Sequence, residues 1–170
     1  MAATITTIGS TVDPRNGDQN PYGLALAPAT AGLVTAGDLI VCNFNDGPTN
    51  TQGNGTTVIG LHPGPGSAPY RIAQDPSLRG CNALSIAANG TIWTADDVAN
   101  DTAIVSPSGT ILAQSAPYSW AGPWGAAVAS PPGNAVTVYV SNQIDGSIVR
   151  LRDRLVGDRI DAHRRRFRNE

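Results

Sequence analysis

The chain has 170 residues, a formal net charge of −2, 19 Gly and 13 Pro, with only 14% charged and 5% aromatic residues. That length suits one domain with one hydrophobic core, and the composition excludes a helical bundle, a coiled coil and a highly charged disordered chain. No apolar run reaches the ~18 residues of a membrane-spanning helix, and Met1–Ile5 shows neither the basic region nor the apolar core of a signal peptide.

Short apolar or alternating runs separated by Gly, Pro, Asn and Asp clusters predict strands and turns along most of the chain. Twelve strands are expected. They are residues 4–8, 22–27, 38–44, 56–61 and 70–74, then 82–87, 91–95, 102–106 and 110–114, then 124–129, 136–141 and 147–151. β-Branched residues recur in them, as in Thr56-Thr57-Val58-Ile59 and Val136-Thr137-Val138. Asn89-Gly90, Ser108-Gly109 and Asp145-Gly146 mark tight hairpin turns. No segment before residue 152 has helical periodicity, so residues 1–151 read as an all-β domain of antiparallel hairpins. The two cysteines, Cys42 and Cys81, have no CxxC partner or nearby His pair. They are too few for a disulfide-stapled secreted domain, and read as two buried or half-buried free thiols.

The strands repeat. Asn20-Pro21-Tyr22-Gly23-Leu24-Ala25 returns as Gly122-Pro123-Trp124-Gly125-Ala126-Ala127, with a weaker copy in Gly80-Cys81-Asn82-Ala83-Leu84-Ser85. Each is followed by a strand ending in a small residue and then Asn or Asp: Ile40-Val41-Cys42-Asn43, Trp93-Thr94-Ala95-Asp96 and Tyr139-Val140-Ser141-Asn142. Gly23, Ala83 and Gly125 stand 60 and 42 residues apart, and the second spacing is that of a four-stranded propeller blade. With the closing strand Gly146-Ser147-Ile148-Val149-Arg150-Leu151, the repeat resembles NHL-type β-propellers, which overlap in fold with gluconolactonase-like and streptogramin-lyase-like propellers. The resemblance covers about residues 4–151 and implies three four-stranded antiparallel blades, with strand 4–8 completing the last one. The family has six or seven blades, so the expectation is an open arc or half ring with two exposed apolar end faces. Such a chain is either a truncated product or one that self-associates through those faces.

The segment 152–170 departs from the repeat. The chain has 11 Arg and no Lys, and seven of those Arg lie in these last 19 residues. Val156, Ile160, His163 and Phe167 are spaced to make one apolar stripe, so the tail reads as helical or disordered. It would be a cap on an open face, a basic helix for a membrane or nucleic acid, or sequence foreign to the repeat. Residues 1–151 carry nine Asp against four Arg, and give no nucleic-acid or membrane signal.

Asn43, Asp96 and Asn142 end the second strand of the three units. There they can ligate a hard cation, bind a polar ligand, or bond to the turn that follows. Gluconolactonase-like enzymes place an acid-plus-Asn metal site on that face, which the resemblance extends to these positions, although only one of the three is a carboxylate. Tyr22 and Trp124, with Asn82 between them in the repeat, can line a ligand platform or pack between blades. Asp96, Asp97 and Asp101 concentrate oxygen ligands without EF-hand spacing, making Ca²⁺ or another divalent cation the candidate cofactor. His62 is the candidate base if the chain were a lyase. These observations favour a non-catalytic propeller module that binds a small ligand or a protein. The alternative is a remnant or assembly-dependent hydrolase or lyase with a metal near Asp96. The resemblance implies that relatives are often exported.

Overall fold

The computed structural model describes residues 4–115, 120–130, 135–156 and 159–160. They form three four-stranded antiparallel sheets in simple up-and-down order. The first blade is β1 (Gln19–Leu26), β2 (Leu39–Asn45), β3 (Gln52–Leu61) and β4 (Tyr70–Gln74). The second is β5 (Cys81–Ile86), β6 (Ile92–Asp96), β7 (Ala103–Val105) and β8 (Ile111–Gln114). The third is β9 (Pro123–Ala129), β10 (Ala135–Asn142), β11 (Ile148–Val156) and β12 (Arg159–Ile160). A short 3-10 turn, Pro76–Leu78, joins the first two blades. The architecture is all-β and propeller-like, as the repeat implies.

Burial follows from the order of stacking. β10 alternates, with Val136, Val138 and Val140 buried and Tyr139 exposed, as a strand covered on one face should. β2 is covered on both faces and reads as the near-continuous apolar run Leu39-Ile40-Val41-Cys42. One core cluster lies between the first and second blades and includes Ile40, Val58, Leu78, Leu84, Ile92 and Val105. A second lies between the second and third blades and includes Trp93, Ile104, Val136, Val138 and Leu151. The first strands adjoin one another, β1 with β5 and β5 with β9. Gly23 permits this, since a Cβ there would lie 2.9 Å from the Leu84 amide nitrogen. The expected turn at Asn89-Gly90 has φ of +86° at Gly90 only. It is therefore a three-residue loop closed by Ala87 N–H to the Thr91 carbonyl, rather than a two-residue loop with both central residues left-handed.

Three expectations are corrected. First, Thr4–Ile8 is in no sheet, and the fourth strand of the third blade is β12. The N-terminal segment instead runs as a strap over the outer face of the first blade. Gly9 bridges Ser67, the Thr11 carbonyl accepts from Asn43 Nδ2 at 2.8 Å, and the Asp18 carboxylate accepts from the Thr56 amide at 2.8 Å. Val41 and Ile59, paired across β2 and β3 on that face, are therefore buried without a neighbouring blade, and only Leu24 and Leu26 of β1 stay exposed there. Of the two end faces expected to be open, this one is largely covered.

Second, Cys42 and Cys81 are not free thiols but a disulfide joining β2 to β5 across the first inter-blade core. Both are fully buried, as expected of Cys. A 39-residue spacing carries no signal of contact, yet facing strands of adjacent blades bring the two Cα atoms to 5.6 Å. Third, residues 152–156 and 159–160 are strand, paired as Leu155 with Ile160 and Val156 with Arg159, not helix. His163 and Phe167 of the expected stripe lie outside the described residues.

Candidate functional site

The repeat has one structural signature at three places. A residue with left-handed φ enters each first strand: Asn20 at +67°, Gly80 at +74° and Gly122 at +68°. Two residues later each strand has a register shift, between Pro21 and Leu24, between Cys81 and Ala83, and between Pro123 and Gly125. Tyr22, Asn82 and Trp124 are thus the bulged residues. A bulge twists its strand and re-aims the side chain, which is why bulges recur beside binding sites. Asn20 adopts a conformation usual for Gly while its Nδ2 donates to Asn45 Oδ1 at 2.8 Å.

The three bulged side chains differ in environment. Tyr22 and Trp124 are 44% and 43% exposed, while Asn82 is 6% exposed. Tyr22 stacks on Phe44 with ring centroids 4.4 Å apart. Both amide atoms of Asn82 lack a protein partner among the described residues. At equivalent positions of the three blades, the unmet amide offers a donor and an acceptor, and the two half-exposed rings offer flat apolar surfaces.

Asn43, Asp96 and Asn142 lie on the second strands opposite Pro21, Cys81 and Pro123, under this rim. All three are buried, and each is bonded to nearby structure. Asn43 Nδ2 donates to the carbonyls of Thr11 and Asp18, which holds the strap. Asp96 Oδ2 accepts from Thr94 Oγ1 at 2.5 Å and from the Ala103 amide at 3.2 Å. Asn142 Nδ2 donates to Ser147 Oγ at 2.9 Å, in the turn that follows. Each thus ties its strand end to nearby loop or strand structure, and each leaves its Oδ1 without a partner among the described residues. Asp97 stands apart, accepting from Gln143 Nε2 at 2.7 Å. Among the described residues no group of three or more His, Cys, Asp or Glu side chains is placed to hold a metal ion, so Asp96, Asp97 and Asp101 do not converge as a cation site.

Burial pushes the Asp96 carboxyl well above the ordinary carboxylate range, and the charge of Asp101 adds to it. Asp101 is pushed up to about 6 by burial and by the charge of Asp75. The folded protein therefore holds these protons at pH values where the unfolded chain has released them. Stability falls as pH rises from about 4 through about 6 for Asp101, and further for Asp96. Asp96→Asn, which installs the residue type found at both equivalent positions, should raise stability at pH 8 by about 1 kcal/mol and leave it little changed at pH 4. Urea unfolding at the two pH values reads the difference.

A second constellation surrounds His62, the candidate base, with two partners that the sequence reading did not name. Asp38 opens β2, His62 follows β3 and Tyr70 opens β4, so the hairpin register gathers them at one edge of the first blade. Asp38 accepts from Tyr70 Oη and pairs with His62 Nδ1, each at 2.5 Å, and also accepts from the Thr35 amide at 2.9 Å. Burial pushes the Asp38 carboxyl up, but the Tyr70, Thr35 and His62 contacts outweigh it and hold it below the usual range. The pairing orients the imidazole, whose side chain is 60% exposed. Alternation of Asp, His and Tyr at three consecutive strand ends was the available signal. Tyr70→Phe removes a bond to a buried carboxylate, and should cost about 2 kcal/mol in chemical denaturation.

No family model matches the chain, and no curated protein matches it. Solved structures similar in part include the following three. Virginiamycin B lyase from Staphylococcus aureus, selenomethionine-substituted, aligns with TM-score 0.44 and 17% identity over 78% of this chain and 41% of that one. A catalytically inactive variant of that lyase with quinupristin gives 0.45 and 18% over 80% and 42%. A protein of unknown function from Bacteroides caccae gives 0.40 and 13% over 72% and 47%. The chain thus spans less than half of each. None is described as an NHL protein, so the NHL label finds no support, and the propeller-like architecture stands on the three sheets themselves.

Proposed function

We propose that the chain is a non-catalytic binding module whose contact surface is the bulged rim of Tyr22, Asn82 and Trp124. The supporting observation is the threefold recurrence of a left-handed entry and a bulge at these residues. The ligand that suits it has a flat or apolar body for the rings and an amide or hydroxyl for Asn82. A panel of short aromatic peptides and oligosaccharides, titrated while tryptophan fluorescence is followed, tests this. Binders should weaken by about tenfold or more in Trp124→Ala, with far-ultraviolet circular dichroism unchanged. Equal binding by the Tyr22→Ala, Trp124→Ala double variant would sink the proposal.

A second reading, an acid–base hydrolase or lyase, is favoured by the Asp38-oriented imidazole of His62. Lactone turnover lost in His62→Ala would establish it. Turnover that requires a divalent ion and disappears in Asp96→Ala would instead place the chemistry at Asp96.

A further inference from the structure

At both blade junctions, residues beyond the second strand of one blade hold the entry to the first strand of the next. From the first blade, the Gly55 carbonyl accepts from the Gly80 amide at 3.1 Å, and Asn54 Oδ1 accepts from Arg79 Nη2 at 2.9 Å. In the second blade the holding element is the loop 97–100, closed by reciprocal backbone bonds between Asp96 and Asp101. Its root is fixed, because the amides of Asp97 and Ala99 donate to the carbonyls of Gly80 and Arg79 at 2.9 and 3.0 Å. Its other side reaches the third blade. Asn100 Nδ2 donates to the Trp120 carbonyl at 3.2 Å, and Asn100 Oδ1 accepts from the Gly122 amide at 3.1 Å.

A side-chain amide can make both bonds because it donates and accepts at once. Asn also tolerates the left-handed φ of +53° at this position. The bonds land on the segment that decides where β9 starts. Gly122 is the left-handed entry, Pro123 fixes the next φ, and Trp124 is the bulged residue that follows. The opposite side of the segment is held by the amides of Gln143 and Ile144, which donate to the carbonyls of Gly122 and Ala121. With 43% of Trp124 exposed, packing leaves much of its ring unsupported, and the backbone anchor sets where it points.

We propose that Asn100 of the second blade is the positioning residue for Trp124 of the third, so that the rim is set from blade to blade. The consequence for binding rests on the rim being the contact surface, whereas the positioning itself does not.

Asn100→Gly keeps the left-handed φ and removes both side-chain bonds, at an exposed position that leaves the core intact. Amide exchange and the tryptophan indole signals in nitrogen–proton correlation spectra are the ligand-free readout. In Asn100→Gly the Gly122 amide should exchange about tenfold faster, and the Trp124 indole signal should shift. The Gly80 amide and the buried Trp93 indole should stay as in the wild type, which a general loss of stability would not allow. Asn100→Asp keeps the acceptor for Gly122 and loses the donor to Trp120, so it should retain most of the protection at Gly122. Wild-type exchange at Gly122 with an unmoved Trp124 signal in Asn100→Gly overturns the proposal, as does equal acceleration at Gly80. The tripeptide amide Phe-Gly-Phe, added to both proteins, reads the rim. Its binding should weaken by about tenfold in Asn100→Gly. Equal binding alongside a shifted Trp124 signal, or binding to neither protein, overturns the rim as the contact surface and leaves the positioning standing.

Discussion

Loss of the Cys42–Cys81 disulfide is expected to lower stability by about 4 kcal/mol. The bond closes a span of 39 residues, and the loop-closure entropy it removes from the unfolded chain is of that size. The melting temperature should fall by roughly 10 °C in the Cys42→Ser, Cys81→Ser double variant. The bond is also the only covalent link between the first and second blades beyond the chain itself, among the described residues. Both sulfurs are sealed in the core between those blades. A mild reductant should therefore act slowly on the folded protein and quickly once denaturant has opened that core. Oxidised and reduced samples compared by calorimetry check the magnitude, and thiol labelling against time checks the order of events. Equal melting of the two samples would exclude a stabilising role.

Breaking the clamp that fastens the strap should cost about 3 kcal/mol. Arg71 donates to both oxygens of Asp13, from Nε at 2.7 Å and from a terminal nitrogen at 2.6 Å. The Asp13 side chain is fully buried and that of Arg71 is 12% exposed. Burial alone would push the Asp13 carboxyl up. The hydrogen bonds from Arg71 and the Arg15 and Asn16 amides, with the Arg71 charge, outweigh burial and hold it below the usual range. Removing one partner leaves a buried charge uncompensated, which is why Arg71→Met is costly. Since the folded value lies below the unfolded one, this contribution is present above about pH 4 and is lost as pH falls through the folded value. Trypsin supplies a local readout, because Arg15 lies in the strap. Cleavage there should accelerate in Arg71→Met at neutral pH, where the wild type resists.

The strands were legible because turn residues and short β-branched runs announce them locally. Eleven of the twelve expected strands appear, shifted by a few residues at their ends. Thr4–Ile8 misleads for a reason outside its own residues. Its alternation suits a strand, yet the first blade already has four strands and the third closes with β12, so the segment joins no sheet and Ile5 stays 96% exposed. The disulfide was illegible because pairing depends on which strands face each other between blades. The repeat identified Asn43, Asp96 and Asn142 as equivalent, but a strand-end amide looks the same whether it faces a ligand or fixes a loop. Tyr22 and Trp124 were legible as a pair. The repeat also set Asn82 between them, whereas the bulge the three share was not legible, because it depends on strand register.

The strap makes the two ends of the stack unequal. Over the first blade the strap leaves Leu24 and Leu26 as the exposed apolar residues, whereas Tyr139 and Ile148 of the third blade are open. A row of like units plugged at one end can be lengthened only from the other, as with a terminal repeat that stops a solenoid. For anyone building on this scaffold, an extra blade grafted after β12 meets a receptive sheet, while one placed ahead of β1 must first displace Asp13, Asp18 and the contacts they anchor.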